Sequence, residues 1–422
     1  AKSDPNCVKS GLRKLDPKNP PEGGFLFVTM MEHPRTADIK VIFALTLVHF
    51  TGDFYSSFIT PLFPVFIEHF SLTLTQVGLI AGISRLLAFV VQPSVGYLAE
   101  QYRTRLFILG GPLLAIVFIP LVGIAPSFLV LLLFISLGSI GSSMFHPTTA
   151  GMVSSYSGQH FGLSLSIFSM GGTIAFGIGP LFITYLVSFY GLVASPFTMI
   201  FGLALMVLLF RIVPLPQGQG LESLGFINGI KEVFGTVWRS IMLMVVVMVL
   251  RAFVAQSFLI FIPVLYTKEG YSLISIGTMV SLFTVAGTIS GLIAGHLSDR
   301  IGYKPIFYLA HSLTTPSLYL LLYLPGNWVY FSVSLAGFFA MATLPLGVAM
   351  AQEMAPKGRS MVSSLMMGFA FGLGGIMIPL TGKLAEIFSI RGVLVFLAII
   401  PLLTTGLISL LPEKKSGGDL NL

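Results

Sequence analysis

Apolar runs of about 20 residues or more, separated by short polar turns, recur from about residue 39 to residue 411. An α-helix rises 1.5 Å per residue, so about 20 such residues cross the ~30 Å hydrocarbon core of a bilayer. The runs predict helices over 39–66, 74–98, 105–124, 127–153, 160–188, 191–212, 239–266, 273–297, 304–324, 328–353, 360–388 and 391–411. Barrel strands would alternate apolar with polar residues; no such alternation is present, so helices are the expected way to satisfy the backbone in lipid. The widest internal polar gap holds Pro214, Pro216, Gly218, Gly220, Lys231 and Glu232, and reads as a linker with a short amphipathic helix. The expected fold class is an all-α membrane protein with twelve transmembrane helices in two six-helix bundles. Its parts are a disordered cytoplasmic tail (1–38), an N-terminal bundle (39–212), a cytoplasmic linker (213–238), a C-terminal bundle (239–411) and a second cytoplasmic tail (412–422).

An internal repeat supports the two bundles. A shift of 199 positions places Pro64 on Pro263, Gly78 on Gly277, Gly96 on Gly295 and Pro180 on Pro379. Parallel repeats of this kind place a substrate site between the halves near mid-membrane. Composition agrees: 55% of residues are hydrophobic and 9% charged, against roughly a quarter charged in soluble domains. The net charge of +7 is spread over short loops. Arg103, Arg105, Arg211, Arg239, Arg300 and Lys304 fall on one side, and Lys268, Lys383 and Arg391 on the other. That asymmetry is a topology signal from which both termini are expected in the cytoplasm, and it makes nucleic acid a poor reading as a partner; the expected location is a bacterial inner membrane. The single cysteine, Cys7, allows neither a disulfide framework nor a cysteine metal site. No phosphate-binding Gly-Lys-Ser/Thr loop, metal-spaced histidine cluster or nucleophile elbow is present, so neither enzyme activity nor a bound cofactor is expected. The expected partners are the lipid bilayer, protons and a small molecule, with the chain acting as a monomer.

Ionisable residues deep in the apolar runs are the candidates for mechanism. His49 and Asp53 stand four apart on one face of the first run, and Asp53 lies about 20 Å along the helix from Lys40. A carboxylate at that depth costs roughly 2.5–3.5 kcal/mol, so it must pair or bind a proton, and histidine titrates near neutrality. The pair is the candidate proton-coupling site; the alternative is a static ion pair holding helices together. Arg85 and Arg251 lie too deep to reach the interface. Together with His146 and Gln256 they are candidate substrate-binding residues, expected to line one cavity with His49 against the single deep acid Asp53 and to favour an anionic group. Either arginine singly serves as well to neutralise Asp53. Pro147, after His146, permits a kink. The glycines of the fifth run (Gly171, Gly172, Gly177, Gly179) and eleventh run (Gly368, Gly372, Gly374, Gly375) are read as packing positions.

Between the eighth and ninth runs stands G-H-L-S-D-R-I-G-Y-K, Gly295 to Lys304, which resembles the loop signature of the major facilitator superfamily. Its first-half counterpart, G-Y-L-A-E-Q-Y-R-T-R from Gly96 to Arg105, is a degraded copy. Gly96, Glu100, Arg103, Arg105, Gly295, Asp299, Arg300, Lys304 and, at the end of the tenth run, Glu353 form a candidate cytoplasmic gate, in which glycines allow close approach and a tight turn. A simple positively charged turn is the alternative. Gly179 with Pro180 is similar to the antiporter signature of the fifth span, although Ala175, Ile183 and Thr184 depart from it. Further stretches resemble the fosmidomycin-resistance efflux family: H-F-T-G-D (49–53), F-S-L-T-L-T-Q-V-G (70–78), Q-P-S-V-G-Y (92–97), F-H-P (145–147), S-I-F-S-M-G-G (166–172), A-Q-E (351–353) and G-F-A-F-G-L-G-G (368–375). The resemblance, over about 40–411, implies the major facilitator fold and proton-driven export of a small anionic or amphiphilic drug or metabolite. Proton-coupled uptake of an organic anion is the alternative. Thr148 to Gly151 and Arg85 depart from the family pattern, which implies a changed substrate.

Overall fold

The computed structural model describes residues 37–101, 104–158, 161–215, 237–354 and 365–411. Twelve long helical segments follow one another among these residues. They are α1 Ile39–Phe70, α2 Leu74–Val95, α3 Leu106–Ile124, α4 Phe128–Val153, α5 Leu163–Tyr190 and α6 Leu192–Ile212, then α7 Trp238–Lys268, α8 Leu273–Ser298, α9 Tyr303–Tyr323, α10 Trp328–Met354, α11 Gly368–Ile387 and α12 Ile390–Ser409. Eleven are long and apolar enough to cross a membrane; α9 falls short of that hydropathy, because His311, Ser312, Thr314, Thr315 and Ser317 interrupt its apolar run. No strand occurs among the described residues.

Local chemistry explains where the helices start and how they tolerate polar residues. The side chains of Asp38, Ser127, Ser272 and Ser389 accept the N–H groups of Val41, Val130, Ser275 and Gly392, which would otherwise lack partners in the first turn. Hydroxyls inside the apolar runs turn back on carbonyls of the preceding turn, as in Thr46 to Ile42 O (2.8 Å) and Thr149 to Phe145 O (2.6 Å). Several helices are less regular than their apolar runs suggest: α6 opens with a tighter 3-10 stretch over Leu192–Thr198, and α11 and α12 are interrupted at Met377 and at Ala398 and Ile399. The regular part of α1 stops at Ser56 and resumes through a tight turn at Thr60–Leu62 into Phe63–Phe70, since neither Pro61 nor Pro64 can donate a backbone hydrogen bond. In α10 the helix pauses at Ala342 and Thr343.

The helices alternate in direction between two ends. At one end Asp38 N donates to Tyr156 O, and the Lys304 ammonium donates to the carbonyls of Ser409 and Leu411. At the other, here the loop end, Ser195 donates to Pro120 O, Tyr271 to Gly326 O, and Arg391 meets Glu269 and Leu322 O. Close contacts between the first six helices and the last six concentrate along two seams, α2 with α11 and α5 with α8, and the end of α1 (Thr60–Phe70) adds smaller contacts with α7 and α8. A Cβ at Gly78 would lie 2.8 Å from Pro379 Cα, and one at Gly277 2.8 Å from Pro180 O. These four residues are the two repeat pairs Gly78/Gly277 and Pro180/Pro379, so the seams are equivalent under the internal repeat. Near the loop end Thr75 N also donates to Glu386 Oε1 (2.7 Å).

Candidate functional site

The ionisable residues predicted from depth fall into three groups. The first lies inside the first six helices. Asp53, 3% exposed, faces His49 Nε2 through Oδ2 at 3.1 Å and His146 Nε2 through Oδ1 at 3.2 Å. His49 and Asp53 are one helical turn apart on α1; His146 arrives from α4, one residue before Pro147. Each imidazole is oriented by its other nitrogen: His49 Nδ1 lies 2.9 Å from Phe168 O and His146 Nδ1 2.6 Å from Ser142 O. A carbonyl only accepts, so both Nδ1 atoms carry hydrogen. Phe168 stacks on His49 (4.3 Å between ring centroids) and Phe145 on His146 (4.2 Å).

The Nδ1 contacts leave Nε2 of each histidine facing the carboxylate. With Nδ1–H in place, a neutral imidazole presents a lone pair at Nε2, which would face a carboxylate lone pair across about 3 Å. Each of the two contacts becomes attractive only with a proton in it, shared between imidazole and carboxylate. The chain His49–Asp53–His146 therefore accommodates two protons, one per contact. The three donor atoms lie within 4.8 Å of one another, a grouping a metal ion can require, but Asp53 directs a different oxygen to each histidine. The three side chains form a row of close contacts with the carboxylate in the middle, and Asp53 Oδ1, the oxygen facing His146, is buried without a hydrogen-bond donor. The chain is not sealed: His49 and Asp53 side chains are 11% and 5% exposed, His146 34%.

The second group sits at the α2–α11 seam. The Arg85 guanidinium lies over the Phe371 ring (4.8 Å) and pairs with no carboxylate among the described residues. Gln256 on α7 donates to Phe371 O (3.1 Å), while its Oε1 is buried without a partner. Gly375 lies between them, where a Cβ would fall 3.1 Å from Gln256 Oε1. The third group is inside the last six helices, where Arg251 Nη1 donates to Ala340 O (3.0 Å). The single cavity expected to gather Asp53, Arg85 and Arg251 is thus resolved into three places. Arg251 faces α9 and α10 of its own half, and a one-residue offset from the mate of Asp53 accounts for this, because it turns a side chain by about 100° around a helix.

Of the candidate gate, Arg103 lies outside the described residues, as do the side chains of Glu100 and Asp299 and the surroundings of Gly96. Arg105 lies over the Phe210 ring (5.4 Å). Gly302 adopts φ +83°, the left-handed turn expected of it, whereas a Cβ at Gly295 would meet no described atom within 4 Å. Arg300 is exposed. Lys304 caps the end of α12 through Ser409 O and Leu411 O (2.9 and 3.1 Å), and Glu353 accepts from the Tyr303 hydroxyl (2.7 Å). These contacts tie helices within the second half. A groove of about 570 Å³ along α9 is lined by Thr315, Pro316, Tyr319, Leu320, Tyr323 and Leu324, none of them charged.

Two residues of consequence escaped the reading of the sequence. Gly172, taken for a packing position, is where α5 passes the acid: a Cβ there would fall 2.6 Å from His49 Nε2 and 2.7 Å from Asp53 Oδ2. His311 is buried in α9; its signal was an ionisable side chain in mid-run.

Eleven helices apolar enough to cross a membrane, with ionisable side chains buried among them, describe a multi-pass membrane protein. The profile of the Major Facilitator Superfamily matches residues 45–375 and 247–421, and the chain belongs to that superfamily. It is 28% identical over 386 residues to the fosmidomycin resistance protein of Escherichia coli (strain K12), covering 89% of this chain and 93% of that one. It is 26% identical over 389 residues to the uncharacterized MFS-type transporter YfnC of Bacillus subtilis (strain 168), covering 88% and 93%. Among solved structures, a bacterial homolog of the human lysosomal transporter Spinster, inward-facing and occupied, superposes with a TM-score of 0.74 at 17% identity, over 88% of this chain and 96% of that one. A mutant of the nucleoside transporter NupG gives 0.74 at 15% identity, over 87% and 99%.

Proposed function

We propose that this transporter is a proton-driven exporter, an antiporter that moves a small anionic or amphiphilic drug or metabolite by alternating access across a bacterial inner membrane. In this reading α9 is the twelfth crossing and both termini are cytoplasmic. The His49–Asp53–His146 chain carries the reading: a mid-membrane carboxylate whose two contacts each need a proton, one of them through a histidine a third open. Loading and unloading protons changes the charge of the first half, and crossing a membrane potential is worth about 2.3 kcal/mol per charge per 100 mV. Arg85 and Gln256, at the seam that must open and close, offer a guanidinium without an acid and an amide oxygen without a donor among the described residues. They supply the substrate contacts, with His146 the link to the proton chain. The resistance named for the Escherichia coli relative favours export over uptake.

The test is transport into inside-out membrane vesicles, with small phosphonates and hydrophobic drugs as probes chosen by thermal shift. Antiport predicts accumulation when the lumen is acidic. Accumulation only when the lumen is alkaline would instead establish proton-coupled uptake, and no response to either gradient would refute proton coupling.

A further inference from the structure

Arg251 is 6% exposed, in the middle of α7, and no described carboxylate contacts it. Guanidinium stays charged at any pH a cell reaches, so this cation is not relieved by losing a proton. Its Nη1 has the carbonyl of Ala340, but its Nε is buried with no acceptor. Two more polar atoms are stranded nearby: His311 Nε2 (residue 3% exposed) and Thr343 Oγ1 (1% exposed). All three side chains line one small cavity, together with Thr314 and Pro401, with room of about 10 Å³ for the centre of a water-sized body. Three unsatisfied polar groups converging on one void, beside an uncompensated charge, is a pattern native interiors avoid unless something occupies the void.

The geometry points to a site for a monoatomic monovalent anion, a halide such as chloride, held in the core of the second half by Arg251 Nε–H and the Thr343 hydroxyl. A water molecule would answer the hydrogen bonds but leave the guanidinium without a counter-charge in a low-dielectric core; a halide answers both. His311 completes the site. Its Nδ1 donates to Phe307 O at 3.0 Å, so Nε2 offers a lone pair when neutral and a third donor when protonated. Arg251 is the only charged side chain lining the cavity, and the hydroxyls of Thr314 and Thr343 are neutral, so the anion supplies the countercharge that lets His311 take up a proton. The void is too small for an organic substrate, which separates it from Arg85 and Gln256 at the seam.

The experiment is thermal unfolding of the purified full chain in detergent, titrated with sodium chloride or bromide against sodium gluconate at constant ionic strength. The expected result is a saturable rise in midpoint of about 2 °C or more with either halide and none with gluconate. The halide rise persists in Arg85→Ala and is lost in Arg251→Met. An equal rise with gluconate, or a halide rise surviving Arg251→Met, overturns the site. Should Arg251→Met not fold, two measurements decide on folded proteins. Thr343→Val should weaken the halide effect at least about 5-fold in half-saturating concentration, and crystals of the wild-type protein grown in bromide should show an anomalous peak beside Arg251 Nε. An unchanged titration in Thr343→Val together with no peak overturns the proposal.

Discussion

The two halves answer the same problem, an ionisable side chain in the middle of the first helix of a six-helix bundle, in opposite ways. In the first half the charge is an acid, Asp53, and its two oxygens are met by His49 and His146. In the second half it is a base, Arg251, met by a carbonyl and by no acid among the described residues. Under the 199-residue offset, Met248, Ala252 and Pro345 stand where His49, Asp53 and His146 stand, while Arg251 replaces Gly52. The repeat thus preserves the seams, where Gly78 meets Pro379 and Gly277 meets Pro180, and has discarded the chemistry. A carboxylate between two imidazoles is kept in one bundle and a permanent charge beside a single histidine, His311, in the other.

The contrast can be broken by cutting the proton chain. His146→Phe removes the partly exposed member, and the rate of transport driven by a pH gradient in proteoliposomes should fall by about 10²-fold or more, as when an essential proton carrier is lost. A rate within a few-fold of wild type would show that Asp53 reaches solvent by another route. Crowding the chain should do less. Gly172→Ala places a methyl against His49 and Asp53, should cost about 1–3 kcal/mol in stability and should slow transport. Gly151→Ala, at a position where a Cβ meets nothing within 4 Å, should leave the unfolding midpoint unchanged. Equal behaviour of the two variants would mean that α5 does not fix the pair.

Arg85→Ala sharpens the comparison from the seam. A charge-assisted hydrogen bond is worth about 1.5–3 kcal/mol, so anionic ligands should weaken by about 10-fold or more relative to neutral ones. Equal losses measured by equilibrium binding would remove Arg85 from the anion site. The smallest effect is expected at Lys304→Ala, which uncaps α12: a loss of about 0.3–1 kcal/mol, read as a drop of a degree or two in unfolding temperature, with transport little changed.

Depth and periodicity made part of this visible in advance. The apolar runs gave helix positions to within a few residues at most ends, and a spacing of four put His49 beside Asp53. The repeat marked Gly78, Gly277, Pro180 and Pro379 before their contacts were known. What the chain did not disclose was rotation. Whether His146 turns toward Asp53 depends on how α4 is set about its axis, and local patterning alone does not fix this, because Ser136, Ser139, Ser142, Ser143, Thr148 and Thr149 share the helix with it. Arg251 was placed in the wrong neighbourhood for the same reason, although its offset mate, Gly52, points toward Phe145 inside its own bundle. Gly172 was unreadable as anything but a small residue, since its role is to leave room for two side chains on another helix.

If Asp53 carries the coupled protons, binding of substrate must displace them. Purified protein in weakly buffered detergent, mixed with a small phosphonate found to bind by thermal shift, should release protons measurable with a pH indicator. Asp53→Asn should bind the same ligand and release none. Proton release from Asp53→Asn equal to that of the wild type would show that Asp53 is not the proton carrier.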